Sequence, residues 1–599
     1  MNGGVGVTRQ FAFDYSAWSV GRAIRTGPDG METVVQFDAA HRATSVTRGL
    51  PGQTPVMTAN YTYLANGLVS RVDYGNLTST LYSYDAAQRL TMIHHKNAVN
   101  GTILRLDYTY TANNLIAGIT ERDITNTVVA STTFGYDVRD QLISEVRAGE
   151  SPYDFAYRYD RGGNRVKKIE TVDASVRIET TYTYDVENAP LYGSANNRLM
   201  TYVEEQVTAD PTAFGGETRT LRATTFYFYN NEGNVTRVVT EKANPAPGEP
   251  RFSATRMAYA RNGRAVTFVM GETWNDNARP PADYTITYAR EFRYDSPRQR
   301  YLNRELDPVA LQNTGALVSL SSTWSDYDGN YGHGDFAVNS TTGTVSNVRS
   351  YEVIIGVVDP WTSSGETATN YAYEDLIGTV RGVTNASGSS TGEAVYTAFG
   401  ERRGGGAIDR FGYAGKWGYQ TAESGEFPFL QLGARYYDPG SGRFLQRDTS
   451  GILGGLNVYA YVLNLPTLGV DPVGEGFWDG DNWFHEWVGG KFSTWWPNKG
   501  RIRYGPSRVR VGYRRWGTRL AFRYGSTHIY GVRGALIFGG SITGAAGVGI
   551  VGGRVVDETF GTFNNDYRIS DGLADILFRW WNDDPNYNPW GRALACGPK

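Results

Sequence analysis

Cysteine is nearly absent from this chain of 599 residues, in which Cys596 is the only one. A single cysteine excludes an intramolecular disulfide and a cysteine-based zinc site. Histidine is scarce as well, with six residues in the whole chain. The sequence therefore predicts neither a metal nor a cofactor, and the fold must be held together by burial of apolar surface.

A large net charge is also lacking, since the formal net charge is only -3. This excludes a chain that binds nucleic acid or membranes through its overall charge, so any charged surface must be local. The first residues, MNGGVGVTRQFAFDYSAW, contain no basic start followed by an apolar stretch, and no signal peptide is predicted. Three interpretations of this absence stay open. The protein stays in the cytoplasm, it is secreted or displayed at the cell surface by a dedicated system, or the chain begins inside a longer parent.

Long helical patterns are missing, and the 72 Gly and 41 Tyr residues favour short strands joined by glycine turns. Internal repetition supports this interpretation, because successive copies of one phrase begin about 21 to 26 residues apart before the spacing loosens. The copies are FDAAHRATSV from Phe37, YLANGLVSRV from Tyr63, YDAAQRLTMI from Tyr84, YTANNLIAGI from Tyr110, YDVRDQLISE from Tyr136, YDRGGNRVKK from Tyr159 and YNNEGNVTRV from Tyr229.

Each copy of the phrase predicts one β-hairpin. A tyrosine with alternating neighbours fits a strand that buries one face, and the Asp or Asn that follows ends the strand by bonding the backbone of a turn. Glycine or asparagine then supplies the positive φ of a tight turn, as at Gly163, Asn164, Gly233 or Asn66. A lone hairpin is marginal in water, so the hairpins must pair edge to edge into a long sheet.

This phrase at this spacing resembles the YD repeat of the Rhs family, which is related to the C component of bacterial toxin complexes. The resemblance implies a mainly β fold, in which hairpins of residues 1–370 form a spiralling antiparallel sheet, a partial hollow shell. An ordinary β solenoid or propeller is the alternative that periodicity alone leaves open.

Residues 371–474, called the core segment below, carry five ordered motifs: YEDLIGTVRGVTNASG from Tyr373, YTAFGERR from Tyr396, FGYAGK from Phe411, LQLGARYYDPGSGRFLQRDTSG from Leu430 and NVYAYVLNLPTLGVDPVG from Asn457. They resemble the Rhs repeat-associated core domain, which implies a plug that closes the shell. The residues themselves predict short strands and enforced turns, with DPGSG as a turn and VYAYV as a strand. Arg435 and Arg443 flank Tyr436 and Tyr437 closely enough for a guanidinium to stack on a ring.

The resemblance also implies self-cleavage just after the core segment, with Asp448 and Asp471 as the catalytic carboxylates and Arg447 beside them. Two carboxylates brought together by folding share a proton, as in an aspartic protease, and an arginine tunes that pair or binds a developing oxyanion. The alternative is structural, because aspartate before Pro or Thr is a common turn former.

The expected cleavage junction is Gly474 and Glu475, with the cut after Glu475. The family usually has a leucine where this chain has Glu475. A third carboxylate there adds repulsion to the reacting pair, so the alternative is a copy that does not cut itself.

Residues 475–599 form the variable C-terminal segment, a small mixed or α+β segment that the resemblance presents as cargo, often a toxin. Enzyme motifs are incomplete there: HEWVG at His485 lacks the second histidine of a zinc HExxH, and GVGIVG at Gly547 lies in no βαβ unit. A rival interpretation is a nuclease toxin that uses His485 or His528.

Arginine dominates one stretch of this segment, since no acidic residue lies between Glu486 and Asp557. Arginines interleaved with aromatic residues suit an anionic partner, either nucleic acid or a membrane surface, and the alternative is a solvated face. The residues proposed to bind that partner are Arg508, Arg510, Arg514, Arg515, Arg519 and Arg523.

Residues 534–553 are uncharged over twenty positions, with small residues every four positions from Ser541 to Gly553. This spacing is typical of packed membrane helices, whereas the many glycines favour a buried hairpin. Both interpretations stay open.

The resemblance thus implies an Rhs-type protein whose shell encapsulates or presents its own C-terminal segment as cargo. An immunity protein and a secretion-system component are the expected partners. One rival is a truncated cell-surface protein that binds carbohydrate through its tyrosines and tryptophans, and another is the carrier of a membrane-active or nuclease toxin.

Overall fold

The computed structural model describes residues 12–14, most of 21–474, and the backbone of 520–524 and 527–531. The gaps within the long range are 41, 186–196, 214, 261–264, 276–283, 297–298, 329–330, 340–341, 353–360, 365–367, 406–409, 422–426, 450 and 452–456.

Strands dominate the described residues, and in chain order they are β1 Ala12–Asp14, β2 Arg22–Thr26, β3 Glu32–Phe37, β4 Ala43–Gly49, β5 Met57–Tyr63, β6 Val69–Tyr74, β7 Ser79–Tyr84, β8 Leu90–Lys96, β9 Thr102–Tyr110, β10 Ile116–Arg122, β11 Val128–Tyr136, β12 Leu142–Gly149, β13 Tyr153–Tyr159, β14 Arg165–Thr171, β15 Val176–Tyr184, β16 Leu199–Ala209, β17 Glu217–Tyr229, β18 Val235–Lys242, β19 Phe252–Tyr259, β20 Val266–Trp274, β21 Thr285–Ser296, β22 Gln299–Leu306, β23 Ser319–Asp328, β24 Tyr331–Val338, β25 Val345–Glu352, β26 Trp361–Ser364, β27 Ala368–Glu374, β28 Val380–Thr384, β29 Ser390–Tyr396, β30 Arg402–Gly405, β31 Leu430–Leu432, β32 Arg435–Asp438, β33 Arg443–Phe444, β34 Leu520–Tyr524 and β35 Thr527–Gly531. The helix α1 spans Pro308–Thr314, capped by the Asp307 carboxylate at its start and ended by Gly315 at φ 69°.

Strands β1 to β30 belong to one antiparallel sheet. Neighbours in sequence are neighbours in the sheet, as in the pairing of β10 with β11 and of β13 with β14. Such a meander follows from the repeat, because each short turn can only return the chain beside the strand it has just left. The predicted fold class, a mainly β chain of antiparallel hairpins, is confirmed.

The hairpin turns lie where the phrase predicts them, since β5, β11, β13 and β17 end at the tyrosine of a copy. The aspartate after it accepts a backbone N–H at the end of the turn, as Asp160 does from Asn164 over 2.9 Å. Positive φ falls on the fourth residue after the tyrosine, for example 74° at Gly163 and 87° at Gly233. After Tyr63 the residue with positive φ is Gly67, so the prediction of Asn66 is wrong by one residue. After Tyr159 it is Gly163, and Asn164, which was also predicted, is the next residue and does not have positive φ.

The tyrosine of the phrase also ties successive hairpins together. Its hydroxyl, at the end of one strand, donates to the backbone carbonyl of the first residue of the strand before it. The pairs at copies of the phrase are Tyr63 to Ala43 at 2.6 Å, Tyr136 to Ile116 at 2.8 Å, Tyr159 to Leu142 at 2.8 Å and Tyr229 to Leu199 at 2.9 Å. The last tyrosines of β15 and β19 make the same bond, from Tyr184 to Arg165 at 2.8 Å and from Tyr259 to Val235 at 2.6 Å. A phenylalanine would fill the same space and leave that carbonyl without this bond.

Residues far apart in sequence meet because the sheet bends back toward its own early strands. The guanidinium of Arg25 on β2 contacts the carboxylate of Glu352 on β25 at 2.5 Å. Glu352 is fully buried, and Arg48 on β4 lies 3.5 Å from it. Removing one partner of such a buried ion pair is costly, so the pair stabilises the contact between these early and late strands.

The core segment continues this sheet through β30 and then turns into short elements packed against it. Strands β31, β32 and β33 form a small antiparallel sheet, and 3-10 turns lie at Gly415–Trp417 and Val462–Asn464. Tyr436, Phe427 and Leu445 share a hydrophobic core with large-sheet residues such as Tyr227 and Phe292. The core segment therefore covers one face of the hairpins.

Two local expectations for the core segment are wrong. Residues 458–462, predicted as a strand, form a turn with a single bridge from Ala460 to Arg443 and enter a 3-10 turn at Val462. Asn457 favours the turn, because its side-chain oxygen accepts the backbone N–H of Tyr459. The stacked rings also differ from those expected: the guanidinium of Arg435 lies 3.5 Å from the ring centre of Phe444, and that of Arg443 lies 4.8 Å from Tyr184.

Strands β34 and β35 pair as a separate hairpin, with Arg523 opposite His528. The rest of the C-terminal segment, including Glu475, Arg508, Arg510, Arg514, Arg515, Arg519 and residues 534–553, lies outside the described residues. Within the part of the chain that is described, no helix has the length and apolar character needed to cross a membrane.

Candidate functional site

The candidate site begins with strand β32, whose first residue is Arg435. The turn after β32 is enforced by Asp438, which accepts the N–H of Gly440 through its carboxylate at 3.0 Å and that of Gly442 through its carbonyl at 2.8 Å. The chain then returns antiparallel, with Tyr437 opposite Phe444. This return carries residue 448 back past the beginning of β32.

Arg435 joins two buried aspartates. Its Nη2 atom lies 3.0 Å from Oδ2 of Asp448 and 3.0 Å from Oδ2 of Asp471. The two carboxylate oxygens are therefore within twice that distance of each other. The side chains are 3%, 4% and 1% exposed, so the folded chain brings together the two aspartates that the sequence singled out.

Gly474, the last residue of the core segment, is held directly against this cluster. Its carbonyl oxygen accepts from Nε of Arg435 at 2.5 Å, and its N–H donates to Oδ1 of Asp471 at 2.9 Å. Its φ is 66°, and an added Cβ would lie 2.2 Å from the carbonyl oxygen of Leu432. Only glycine fits this close approach without displacing backbone.

Tyrosine hydroxyls hold the backbone at Asp471. The N–H of Asp471 donates to the hydroxyl of Tyr419 at 2.5 Å, and that hydroxyl lies 3.0 Å from the hydroxyl of Tyr461. Both tyrosines are almost fully buried. The backbone that carries the Asp471 carboxylate is therefore fixed by a hydrogen-bonded pair inside the core segment.

Arg447, the arginine proposed from the sequence, is exposed. Its side-chain carbons pass near the hairpin turn at Gly233, and the arginine that contacts both aspartates is Arg435. Sequence reasoning gave Arg435 only a stacking role. The available signal was its place in a run that must fold tightly against the RD motif, because DPGSG forces the chain to reverse between them.

The cluster has the chemistry of an acid–base pair with an adjacent cation. Two aspartates and one arginine carry one excess negative charge if both acids are ionised, and burial makes that charge costly. The described residues contain no group of three or more His, Cys, Asp or Glu suited to a metal ion.

Comparison with known proteins gives short sequence matches. The chain is 55% identical over 40 residues to the toxin protein Tse5 of Pseudomonas aeruginosa, which is 7% of this chain and 3% of Tse5. It is 52% identical over 40 residues to the uncharacterised protein YlbH of Escherichia coli K12, which is 7% of this chain and 16% of YlbH. The matches thus span a small fraction of both relatives, and no protein-family model matches the chain.

Solved structures give longer matches at lower identity. A crystal structure of TcdB2-TccC3 aligns with 75% of this chain and 21% of its own, with 18% identity and a TM-score of 0.48. The Tc holotoxin pore of Photorhabdus luminescens, with a variant TccC3, aligns with 76% of this chain and 20% of its own, with 18% identity and a TM-score of 0.49. The fold class of this chain is assigned from its own strands and not from these alignments.

Proposed function

We propose that this protein is a carrier of its own C-terminal segment and cuts the chain once between carrier and cargo. Residues 1–370 supply the sheet, residues 371–474 the core segment, and residues 475–599 the cargo. The observation that carries the proposal is the buried cluster of Arg435, Asp448 and Asp471. Its arginine binds the carbonyl of Gly474, at the boundary between carrier and cargo.

The proposed reaction is hydrolysis of the peptide bond between Gly474 and Glu475. The ionised aspartate takes a proton from a water molecule, which attacks the carbonyl carbon of Gly474. The protonated aspartate gives its proton to the leaving nitrogen of Glu475, as the pair of an aspartic protease does. Arg435 donates to the Gly474 oxygen as negative charge develops there.

This geometry favours a cut one bond earlier than the family resemblance implies. The carbonyl that Arg435 binds belongs to Gly474, so the new N-terminus would be Glu475. A cut after Glu475 would instead begin the released segment at Gly476. The mass of the released segment distinguishes the two bonds.

Expression of the full chain, followed by a denaturing gel and intact mass measurement, tests the proposal. We expect fragments of 474 and 125 residues, and a single full-length band for Asp448→Asn and Asp471→Asn. Asp173→Asn, at an exposed hairpin turn, is the matched control and should cut like the wild type. A wild-type chain that stays intact would refute self-cleavage, and a cut after Glu475 would refute the role of the Gly474 carbonyl.

A toxin is the cargo we propose, because the short match to Tse5 links the chain to a protein named as a toxin. An immunity protein and a secretion-system component are the corresponding partners. Expression of the full chain in bacteria should lower viability, and deletion of residues 475–599 should restore it. Equal growth of both strains would remove the toxin proposal and leave the carrier proposal to the cleavage test.

A further inference from the structure

A cavity of about 60 Å³ lies between the large sheet and the core segment. Strands β9 to β13 line one side, and residues from Asp375 to Tyr413 line the other. A cavity holds one water molecule when its volume on this measure is about 10 to 15 Å³, so this cavity has room for a solute larger than a single water molecule.

Glu145 on β12 offers an unused acceptor in this cavity. Its Oε1 atom accepts from the hydroxyl of Tyr153 at 2.7 Å and from the N–H of Ala398 at 2.8 Å. Its Oε2 atom is buried and has no hydrogen-bond partner, although the residue is 0% exposed. An unsatisfied carboxylate oxygen in such a place is costly unless a donor fills the space beside it.

The other charges around the cavity do not compensate Glu145. Arg147 and Arg381 both bind Glu121, at 2.6 Å and 3.1 Å. Burial opposes ionisation of Glu121, but the charges of Arg381 and Arg147 hold its pKa at about 2. Asp375 adds a third carboxylate to the lining, so negative groups outnumber positive ones.

Burial raises the pKa of Glu145 to about 7, against the lowering effect of the Tyr153 and Ala398 hydrogen bonds. Glu401 raises it further and Lys168 lowers it. The carboxylate is therefore an ionised acceptor above neutral pH and takes a proton in mild acid.

Aromatic rings supply the rest of a cation site, since Tyr108, Tyr153, Tyr396 and Tyr413 line the same cavity. Their faces attract ammonium groups and pack against alkyl groups. An anion is disfavoured because both guanidiniums are already occupied by Glu121. A divalent metal needs about six oxygen ligands, which the described lining does not present together.

We propose that this cavity binds a small primary ammonium ion, with the ammonium group donating to Oε2 of Glu145 and a short alkyl group against the tyrosines. Methylammonium fits the volume and the chemistry. The site adds a ligand-dependent contact between the sheet and the core segment, independent of any cleavage at Gly474.

Saturation-transfer NMR on the full chain with methylammonium chloride tests the site, in amine-free buffer with sodium chloride as the ionic-strength match. At pH 8.5 we expect transfer to the methyl signal, suppressed by ammonium chloride and unchanged by tetramethylammonium, which is larger and has no donor. Glu145→Gln should lower the signal at least about fivefold, whereas Glu150→Gln, at an exposed position on the same hairpin, should not.

The wild-type chain gives a second readout that needs no variant. Because Glu145 takes a proton in mild acid, the transfer signal should fall at least about fivefold between pH 8.5 and pH 5.5. Absence of transfer at pH 8.5, a signal independent of pH, or an equal signal in Glu145→Gln would each overturn the proposal and leave ordered water as the occupant.

Discussion

The Nε atom of Arg435 lies 2.5 Å from the carbonyl oxygen of Gly474, 39 residues further along the chain. This contact fixes the end of the core segment against the arginine that also holds Asp448 and Asp471. One side chain thereby couples the packing of the core segment to the position of the bond that we propose is cut.

Replacement of Arg435 by lysine should abolish cleavage. Lysine has a single ammonium group and cannot bind two carboxylates and a carbonyl in one plane as the guanidinium does. We also expect a loss of stability of about 3 kcal/mol, since a buried carboxylate loses its partner. Gel analysis and thermal unfolding check both effects.

The matched control is Arg447→Lys, because Arg447 is exposed and directly precedes Asp448 in the chain. It should leave cleavage and unfolding unchanged. An Arg435→Lys chain that still cuts at the wild-type rate would contradict the role given to the guanidinium.

Replacement of Gly474 by alanine should displace the end of the core segment. Its Cβ would lie 2.2 Å from the Leu432 carbonyl oxygen, whereas a Cβ at Gly451 would meet nothing within 4 Å. Both glycines have nearly the same φ, 66° and 63°, so backbone strain is matched between them. The steric clash alone should make Gly474→Ala less stable than Gly451→Ala by about 2 kcal/mol or more.

Limited proteolysis of the two alanine variants, each made in the uncut Asp448→Asn background, detects this difference. Faster cleavage near residue 474 is expected for Gly474→Ala only. Equal proteolysis of the two alanine variants would contradict the tight fit between Gly474 and Leu432.

The tyrosine of the repeat should contribute through its hydroxyl as well as through its ring. Tyr159→Phe removes the bond to the Leu142 carbonyl and should cost about 1 kcal/mol. Tyr157 lies two residues earlier on β13, and its buried hydroxyl has no hydrogen-bond partner. Tyr157→Phe should therefore be neutral or stabilising, and denaturant unfolding compares the two variants.

These tyrosines mark the boundary of what the sequence could predict. The turn chemistry is local, since Asp160 and Gly163 act within a few residues of Tyr159, and the hairpins were predictable for that reason. The hydrogen bond from Tyr159 to the Leu142 carbonyl can be predicted only if the register between the two strands is known. Periodicity locates the strands without stating which hydroxyl meets which carbonyl.

In the candidate site, too, local patterns were predictable and long-range contacts were not. Asp448 and Asp471 were proposed through a family resemblance, and folding does place both on one nitrogen atom. Arg435 was missed as their partner because its contacts span 36 and 39 residues, beyond any local pattern. Glu145 carries no sequence signal at all, since an alternating strand residue is indistinguishable from its solvated neighbours until the core segment covers it.

Stability should depend on pH through Glu145, whose pKa burial raises to about 7. An unfolded glutamate titrates near pH 4.3, so the folded chain binds more protons than the unfolded chain between about pH 4 and pH 7. The contribution of Glu145 is then complete below about pH 4 and is lost as the pH rises through about 7. Its size is on the order of 4 kcal/mol, because each pKa unit corresponds to about 1.4 kcal/mol.

Glu145→Gln removes this titration while keeping the shape of the side chain. Thermal unfolding in phosphate buffer, without amines, should therefore show a smaller fall in stability from pH 5 to pH 8 for Glu145→Gln than for the wild type. Glu150→Gln should keep the wild-type slope, since Glu150 is exposed beyond the end of β12. Parallel pH curves for Glu145→Gln and the wild type would contradict a buried, titrating Glu145, because the variant cannot bind or release a proton at that position.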